Sequence, residues 1–185
     1  MKTEKTDRRV RRTRELLTRG LMQLMEEKDI RDITVRELSD LADINRGTFY
    51  LHYRDVYDLL ASIEDELFSE FNLILNRHLG SELQQESLLS TFEDIFSFLE
   101  KHREVARVMM GPHGDSAFVT RLKNLVKQRM DRLSALQGHS STPLYTEAFI
   151  VSGCTGVIEA WLNQPAPQSP GEMAICCKNF LSGCF

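Results

Sequence analysis

The run Asn45-Arg46-Gly47-Thr48-Phe49-Tyr50 holds the side chains that duplex DNA requires of a reading helix. An arginine at position 46 can donate twice to a guanine edge, and the hydroxyls of Thr48 and Tyr50 can reach phosphate oxygens. Phe49 can turn back into a core. Gly47 leaves room for close backbone approach, although glycine in a short helix costs up to ~1 kcal/mol of propensity. No comparable set exists for catalysis: the five histidines (His52, His78, His102, His113, His139) are scattered, with no His-Cys or Glu-x-x-His cluster. The four cysteines (Cys154, Cys176, Cys177, Cys184) all fall in the last 32 residues, without a CxxC pair or a histidine at ligand spacing. They read as reduced, mostly buried thiols, so no metal, no cofactor and no enzymatic activity are expected.

A reading helix needs a scaffold, and the chain punctuates one clearly. All five prolines (Pro112, Pro143, Pro165, Pro167, Pro170) lie beyond residue 111, leaving the earlier chain free to be nearly all helix. Val10, Leu17, Leu21 and Leu24 share one face of a helix from about Arg8 to Glu27. Thr34-Val35-Arg36-Glu37 has the form of a capping box, in which Thr34 accepts from the Glu37 amide and the Glu37 carboxylate reaches back. Val35, Leu38 and Ala42 form that helix's inward stripe. Asp43-Ile44 makes a turn, Asn45 can cap a very short helix through Tyr50, and Asp55 can cap a long one. Further helices are expected near 55–79, 85–101, 103–110, 116–137, 143–163 and 171–182. The breaks fall at Gly80-Ser81, Gly111 to Gly114, Gly138 to Pro143 and Pro165 to Pro170. No stretch alternates like a strand, so the fold class is all-α.

Charge supports the same assignment. The chain of 185 residues has a formal net charge of −4 and a pI near 5.8, which argues against a surface that binds nucleic acid everywhere. Residues 1–20 nevertheless carry eight Lys/Arg against three acids, a surplus of five positive charges, whereas residues 61–185 carry ten basic against fifteen acidic groups. A basic amino end on an acidic body fits a polyanion-binding module joined to a body with another task. With 42% hydrophobic and 27% charged residues the composition is that of a folded protein rather than a disordered one. No apolar window reaches the ~18 residues of a membrane span, and the amino end has charges where a signal peptide would be apolar, so a cytoplasmic location without membrane contact is expected.

Two helices joined by a tight turn beside a basic helix have the geometry of helix-turn-helix DNA binding. The run from Ile33 to Leu38 and the run Ala42-Asp43-Ile44-Asn45-Arg46-Gly47-Thr48-Phe49-Tyr50-Leu51-His52-Tyr53-Arg54-Asp55 resemble the DNA-binding signature of TetR-family transcriptional regulators, T-x-x-x-I-A…A-G-V-S-x-G-T-F-Y-x-H-F-K-[SN]-K-E-x-L. The resemblance covers about residues 8–60. It implies a homodimer with three helices for DNA and about six for dimerisation and ligand sensing, divided here as residues 1–54 and 55–185. Its partners would be a palindromic operator in double-stranded DNA and a small-molecule effector, with repression of nearby genes relieved by that effector. Carried over by position, DNA contacts fall on Thr34, Arg36, Asn45, Arg46, Gly47, Thr48, Tyr50, His52, Tyr53 and Arg54. Two departures stand out: Asp43 replaces the usual turn glycine, and Val56 replaces a lysine at the start of the fourth helix.

The body carries less specific information. Nine of the ten phenylalanines follow residue 60. Phe68, Phe71, Leu75, Phe92, Phe96, Leu99, Phe118, Leu122, Phe149 and Trp161 recur at helical spacing and read first as core. The resemblance adds a second reading, in which Phe68, Phe71, Phe92, Phe96, Met109, Phe118 and Phe149 line an apolar effector pocket. The small residues Ser152, Gly153 and Gly156 would let another helix approach residues 143–163, either inside the same chain or, as the resemblance implies, across a four-helix dimer interface. A helical protein–protein adaptor is the alternative function. It would account for the helices but not for the Arg46-to-Tyr50 run beside a basic helix.

Overall fold

Cap and proline chemistry set the helix ends. The computed structural model describes residues 2–77, 85–136 and 144–182; the expected breaks at Gly80-Ser81 and from Gly138 to Pro143, with His78, His139 and Cys184, lie outside them. The helices are α1 (Lys2–Met25), α2 (Val35–Leu41), α3 (Arg46–Tyr50), α4 (Val56–Arg77), α5 (Gln85–Lys101), α6 (Arg103–Met109), α7 (Ser116–Leu136), α8 (Leu144–Leu162) and α9 (Pro170–Ser182). There is no strand among the described residues. An additional 3-10 turn, Ile30–Asp32, precedes α2.

Thr34 accepts from the Glu37 amide at 3.2 Å, as its spacing predicts. The other half of the box is replaced, because the Glu37 carboxylate pairs with Lys28. Asp55 starts α4 by accepting from the Asp58 amide at 2.9 Å. At α9, Pro170 occupies the first helical position, where a missing amide hydrogen costs nothing, and Ser169 exchanges cap bonds with Glu172.

The chain forms two compact units, Met1–Leu67 with Gly111–Gly114, and Phe68–Met110 with Asp115–Phe185. The division therefore falls inside α4, and the four-residue loop before α7 belongs to the amino-terminal unit.

In that unit Leu17, Leu21 and Leu24 of α1 are buried together with Met22 and Met25, while Val10, near the start of the same helix, is exposed. Gly20 permits α2 to pack closely, since a β-carbon there would stand 3.1 Å from Leu38 Cδ1. Val56, Leu59, Leu60 and Ile63 of α4 complete the core. Arg14 ties α1 to α4 through Glu66 and Ser62. His113 of the inserted loop meets Asp29 at 2.8 Å. That bond, followed by Arg31, keeps the Asp29 carboxyl below its usual range.

In the second unit α5 packs along α9, and α6 and α7 pack on α8. Phe96 meets Trp161 edge-on, with ring centroids 5.2 Å apart. The Arg103 guanidinium lies 4.9 Å from the Trp161 ring centroid. It donates to the carbonyls of Trp161, Leu162 and Gln164 at 3.0, 2.9 and 2.6 Å, closing the carboxy-terminal end of α8. A cation at this position satisfies orphan carbonyls and complements the helix dipole. Cys154 and Cys176 are half-buried, and Cys177 is buried. Burial, then the neighbouring thiols of Cys154 and Cys176, push the Cys177 thiol up to about 12.

The turn after α2 closes on Asp43, which among the described residues is the non-glycine with positive φ, at 53°. That left-handed conformation is strained for most side chains and tolerated by aspartate. Asp43 is exposed, so packing does not interfere with the comparison. Asp43→Val should lower stability by about 1–2 kcal/mol in urea unfolding, whereas Asp43→Gly should retain it. Equal stability of the valine and aspartate proteins would show that the turn is not strained.

Candidate nucleic-acid interface

α3 is only five residues long, so its position depends on its caps and on one buried anchor. Asn45 Oδ1 accepts from the Gly47 amide at 2.7 Å. A β-carbon at position 47 would lie 3.1 Å from that same oxygen, so the small residue protects the cap. Phe49 is 0% exposed. Its ring meets those of Tyr50 and Tyr53 at centroid distances of 5.6 and 5.8 Å. With Phe49 pinned inward, the remaining side chains of α3 are directed outward.

The expected DNA-contact residues occupy this neighbourhood. Thr34, Arg36, Asn45, Arg46, Gly47, Tyr50, His52 and Arg54 are exposed, and Thr48 and Tyr53 are half-buried. Their side chains are not equally available. Thr34 and Asn45 are used as caps. Arg36 lies 3.8 Å from Asp40, an exposed pair of small energetic value. Arg54 pairs with Asp58 at 3.0 Å. Asp58 also accepts from the Arg54 backbone amide at 3.0 Å, and these two bonds hold its carboxyl below the usual range. Arg46 makes no ion pair or hydrogen bond among the described residues, so its full set of donors faces outward. Nearby, α1 presents Arg8, Arg9, Arg11 and Arg12, all exposed.

The aromatic set of the second unit divides by depth. Phe96, Met109 and Phe118 are buried, Phe68, Phe71 and Phe92 are half-buried, and Phe149 is 66% exposed. Phe71 packs against Phe98 with centroids 6.0 Å apart. A cleft of about 490 Å³ is lined by Phe68 of α4 and by Ser116, Ala117, Thr120, Arg121, Asn124, Leu125 and Gln128 of α7. Of the seven expected effector residues, Phe68 lines it. The polar lining had no local signal in the sequence, because these positions look like the solvated face of α7.

Along α8, Tyr145, Phe149, Ser152, Gly153 and Gly156 share an exposed face. A β-carbon added at Gly153 or Gly156 would meet nothing within 4 Å. Among the described residues, therefore, no other helix packs against these glycines. Ile175 and Phe180 of α9 are also exposed. No described helix is long and apolar enough to cross a membrane.

Residues 86–183 match the TetR-type family model described as "Transcriptional regulator C-terminal region". That match covers more than half of the chain, and the chain belongs to the TetR family of transcriptional regulators. It is 28% identical over 170 residues, 82% of its own length, to the uncharacterized HTH-type transcriptional regulator YxbF of Bacillus subtilis. The chain spans about 40% of the length of that curated relative. Among solved structures, a TetR transcriptional regulator from Streptococcus agalactiae shares its fold at a TM-score of 0.59 and 19% identity, covering 97% of this chain and 98% of the other. SmeT, the repressor of the Stenotrophomonas maltophilia multidrug efflux pump SmeDEF, gives 0.69 at 16% identity, covering 92% and 88%.

Proposed function

We propose that the protein is a dimeric, sequence-specific DNA-binding transcriptional regulator and not an enzyme. Residues 1–54 read a palindromic operator, and residues 55–185 dimerise and respond to a small molecule. The observation that carries this reading is the outward-facing Arg46, unpaired among the described residues, on a capped helix held by the buried Phe49. Thr34, Arg36, Asn45, Gly47, Thr48, Tyr50, His52, Tyr53 and Arg54 surround it as the remaining candidate contacts. Family membership supports the assignment, and the protein would act in the cytoplasm. The exposed apolar face of α8, with its two uncovered glycines, supports a homodimer. Repression relieved by an effector is the favoured direction, as SmeT is itself a repressor. Phe68, Phe71, Phe92, Phe96, Met109, Phe118 and Phe149 supply the effector site or the core behind it.

Reading and anchoring can be separated by mutation. Arg46→Ala should lose ~1–3 kcal/mol on the best site and relax preference at one base position. Arg54→Ala should weaken all sequences alike and flatten the slope of log affinity against log salt by about one unit or less, because Asp58 already occupies part of that cation. Salt-dependent titrations on matched and scrambled duplexes check both. Identical behaviour of the two variants would contradict the division of roles.

A further inference from the structure

Helical geometry fixes which way each side chain of α3 looks once Phe49 is buried. The path stays helical past Tyr50: Leu51 closes the element with φ −72° and ψ −20°, and the Tyr53 amide donates to the Phe49 carbonyl at 3.0 Å. With 3.6 residues per turn each residue advances by about 100°, so Gly47 and Leu51 both stand about 160° from Phe49 and share the outward side of the helix. Thr48 and Tyr50 fall on the two flanks, each about 100° from Phe49. Gly47 contributes no side chain, which leaves Leu51 as the group at the centre of the outward face.

Exposure agrees with that placement. Leu51 is 79% exposed, more than Tyr50 at 59%, and Thr48 is half-buried. A single exposed leucine is ordinary on a protein surface. What sets Leu51 apart is its company: the exposed Arg46 belongs to the same short helix, and α1 of the same unit carries the exposed Arg8, Arg9, Arg11 and Arg12. The charge of this unit suits a polyanion, yet the centre of its reading face is a side chain with no donor and no acceptor.

Duplex DNA offers such a side chain a matching group. The edges of the bases in the major groove present donors and acceptors, together with the apolar 5-methyl of thymine. A leucine set against a cytosine amino group or a guanine carbonyl would displace water without replacing its hydrogen bond. Against the thymine methyl the same displacement is favourable.

We propose that Leu51 is a specificity-determining residue, which packs on the 5-methyl of a thymine in each half-site and so selects that base pair. The proposal rests on the reading of α3 as the DNA-reading helix and names a base that this helix requires. It adds an apolar contact to a set that otherwise reads by hydrogen bonds and charge.

The test uses duplexes enriched from a random pool by the 185-residue chain. Each thymine of the best site is replaced in turn by deoxyuridine, which removes the methyl and keeps the hydrogen bonds of the base pair, and affinity is measured by fluorescence anisotropy at one salt concentration. One thymine per half-site should respond, with binding weakened about fourfold when one half-site is changed and about fifteenfold when both are, as burial of one and two methyl-sized groups implies. Leu51→Ala changes an exposed position and should keep its unfolding midpoint, but it should bind the thymine and deoxyuridine duplexes alike. Arg46→Ala should retain the response to the methyl, because it loses a different base. A best site whose thymines can all be replaced without loss, or a Leu51→Ala protein that still distinguishes the methyl, would overturn the proposal while leaving sequence-specific binding intact. Leu51→Ala weakening every sequence equally would indicate contact with sugar or phosphate and would also overturn it. Absence of any enriched sequence would overturn the reading of α3 itself, and the proposal with it.

Discussion

Phe49→Ala is expected to destabilise the amino-terminal unit by about 3–5 kcal/mol and to abolish specific DNA binding. The ring is completely buried. It is also the inward anchor of α3, a helix too short to persist without tertiary contacts. Two neighbouring aromatic contacts are lost with it, leaving Tyr50 and Tyr53 without their common partner. Denaturant unfolding followed by circular dichroism should show the loss, and mobility-shift titration should show binding reduced to the weak, salt-sensitive kind that cationic α1 supplies. Phe49→Leu should recover much of the stability, because it removes far less volume. A stable Phe49→Ala protein with full affinity would mean that α3 is positioned by something other than its buried face.

The second large effect is expected from Phe96→Ala, at about 3–5 kcal/mol in the carboxy-terminal unit. Phe96 is 1% exposed and stands against Trp161, itself 2% exposed. Trp161 is the sole tryptophan of the chain, so its fluorescence reports this site without interference. The variant should show red-shifted emission and an earlier unfolding midpoint. Unchanged unfolding would instead indicate that the Phe96 site is not rigid core and would favour a direct effector role. Phe68→Ala, at the cleft wall, should affect stability much less, because half-buried surface contributes less on folding.

The helix boundaries were largely legible because their determinants are local. Thr34, Asn45 and Asp55 cap the helices that their neighbours imply, and Asp43 takes the left-handed turn in place of glycine. Long-range partners left no such trace. Glu37 could be foreseen returning to Thr34, but Lys28, nine residues earlier, takes its carboxylate. Arg103 resembles an ordinary surface charge until α8 ends beside it, and the Arg129–Asn72 pair joins residues 57 apart. The division inside α4, and the membership of residues 111–114 in the amino-terminal unit, likewise depend on contacts distant in sequence.

The aromatic set shows a different limit. Helical periodicity states which residues share a face, not whether that face ends in core, cleft or solvent. On α8, where apolar residues occur around most of the helix, no polar stripe distinguishes the exposed Phe149 from the buried Ile150 and Trp161. For the reading helix the ambiguity was smaller. Arg46 and Phe49 lie in a five-residue element with a cap at one end, and once Phe49 faces inward few orientations remain.

Selection of bound sequences from a random duplex pool by the 185-residue chain tests the central claim most directly. Two recognition helices related by a dimer axis should dock in successive major grooves, so the enriched DNA should contain an inverted repeat with half-site centres ~34–36 Å apart or at a multiple of that spacing. The Arg46→Ala protein, selected in parallel, should lose preference at one position in each half-site. A pool with no sequence enrichment over many rounds, or an enriched site without two-fold symmetry, would contradict the account of this chain as a dimeric operator-reading regulator.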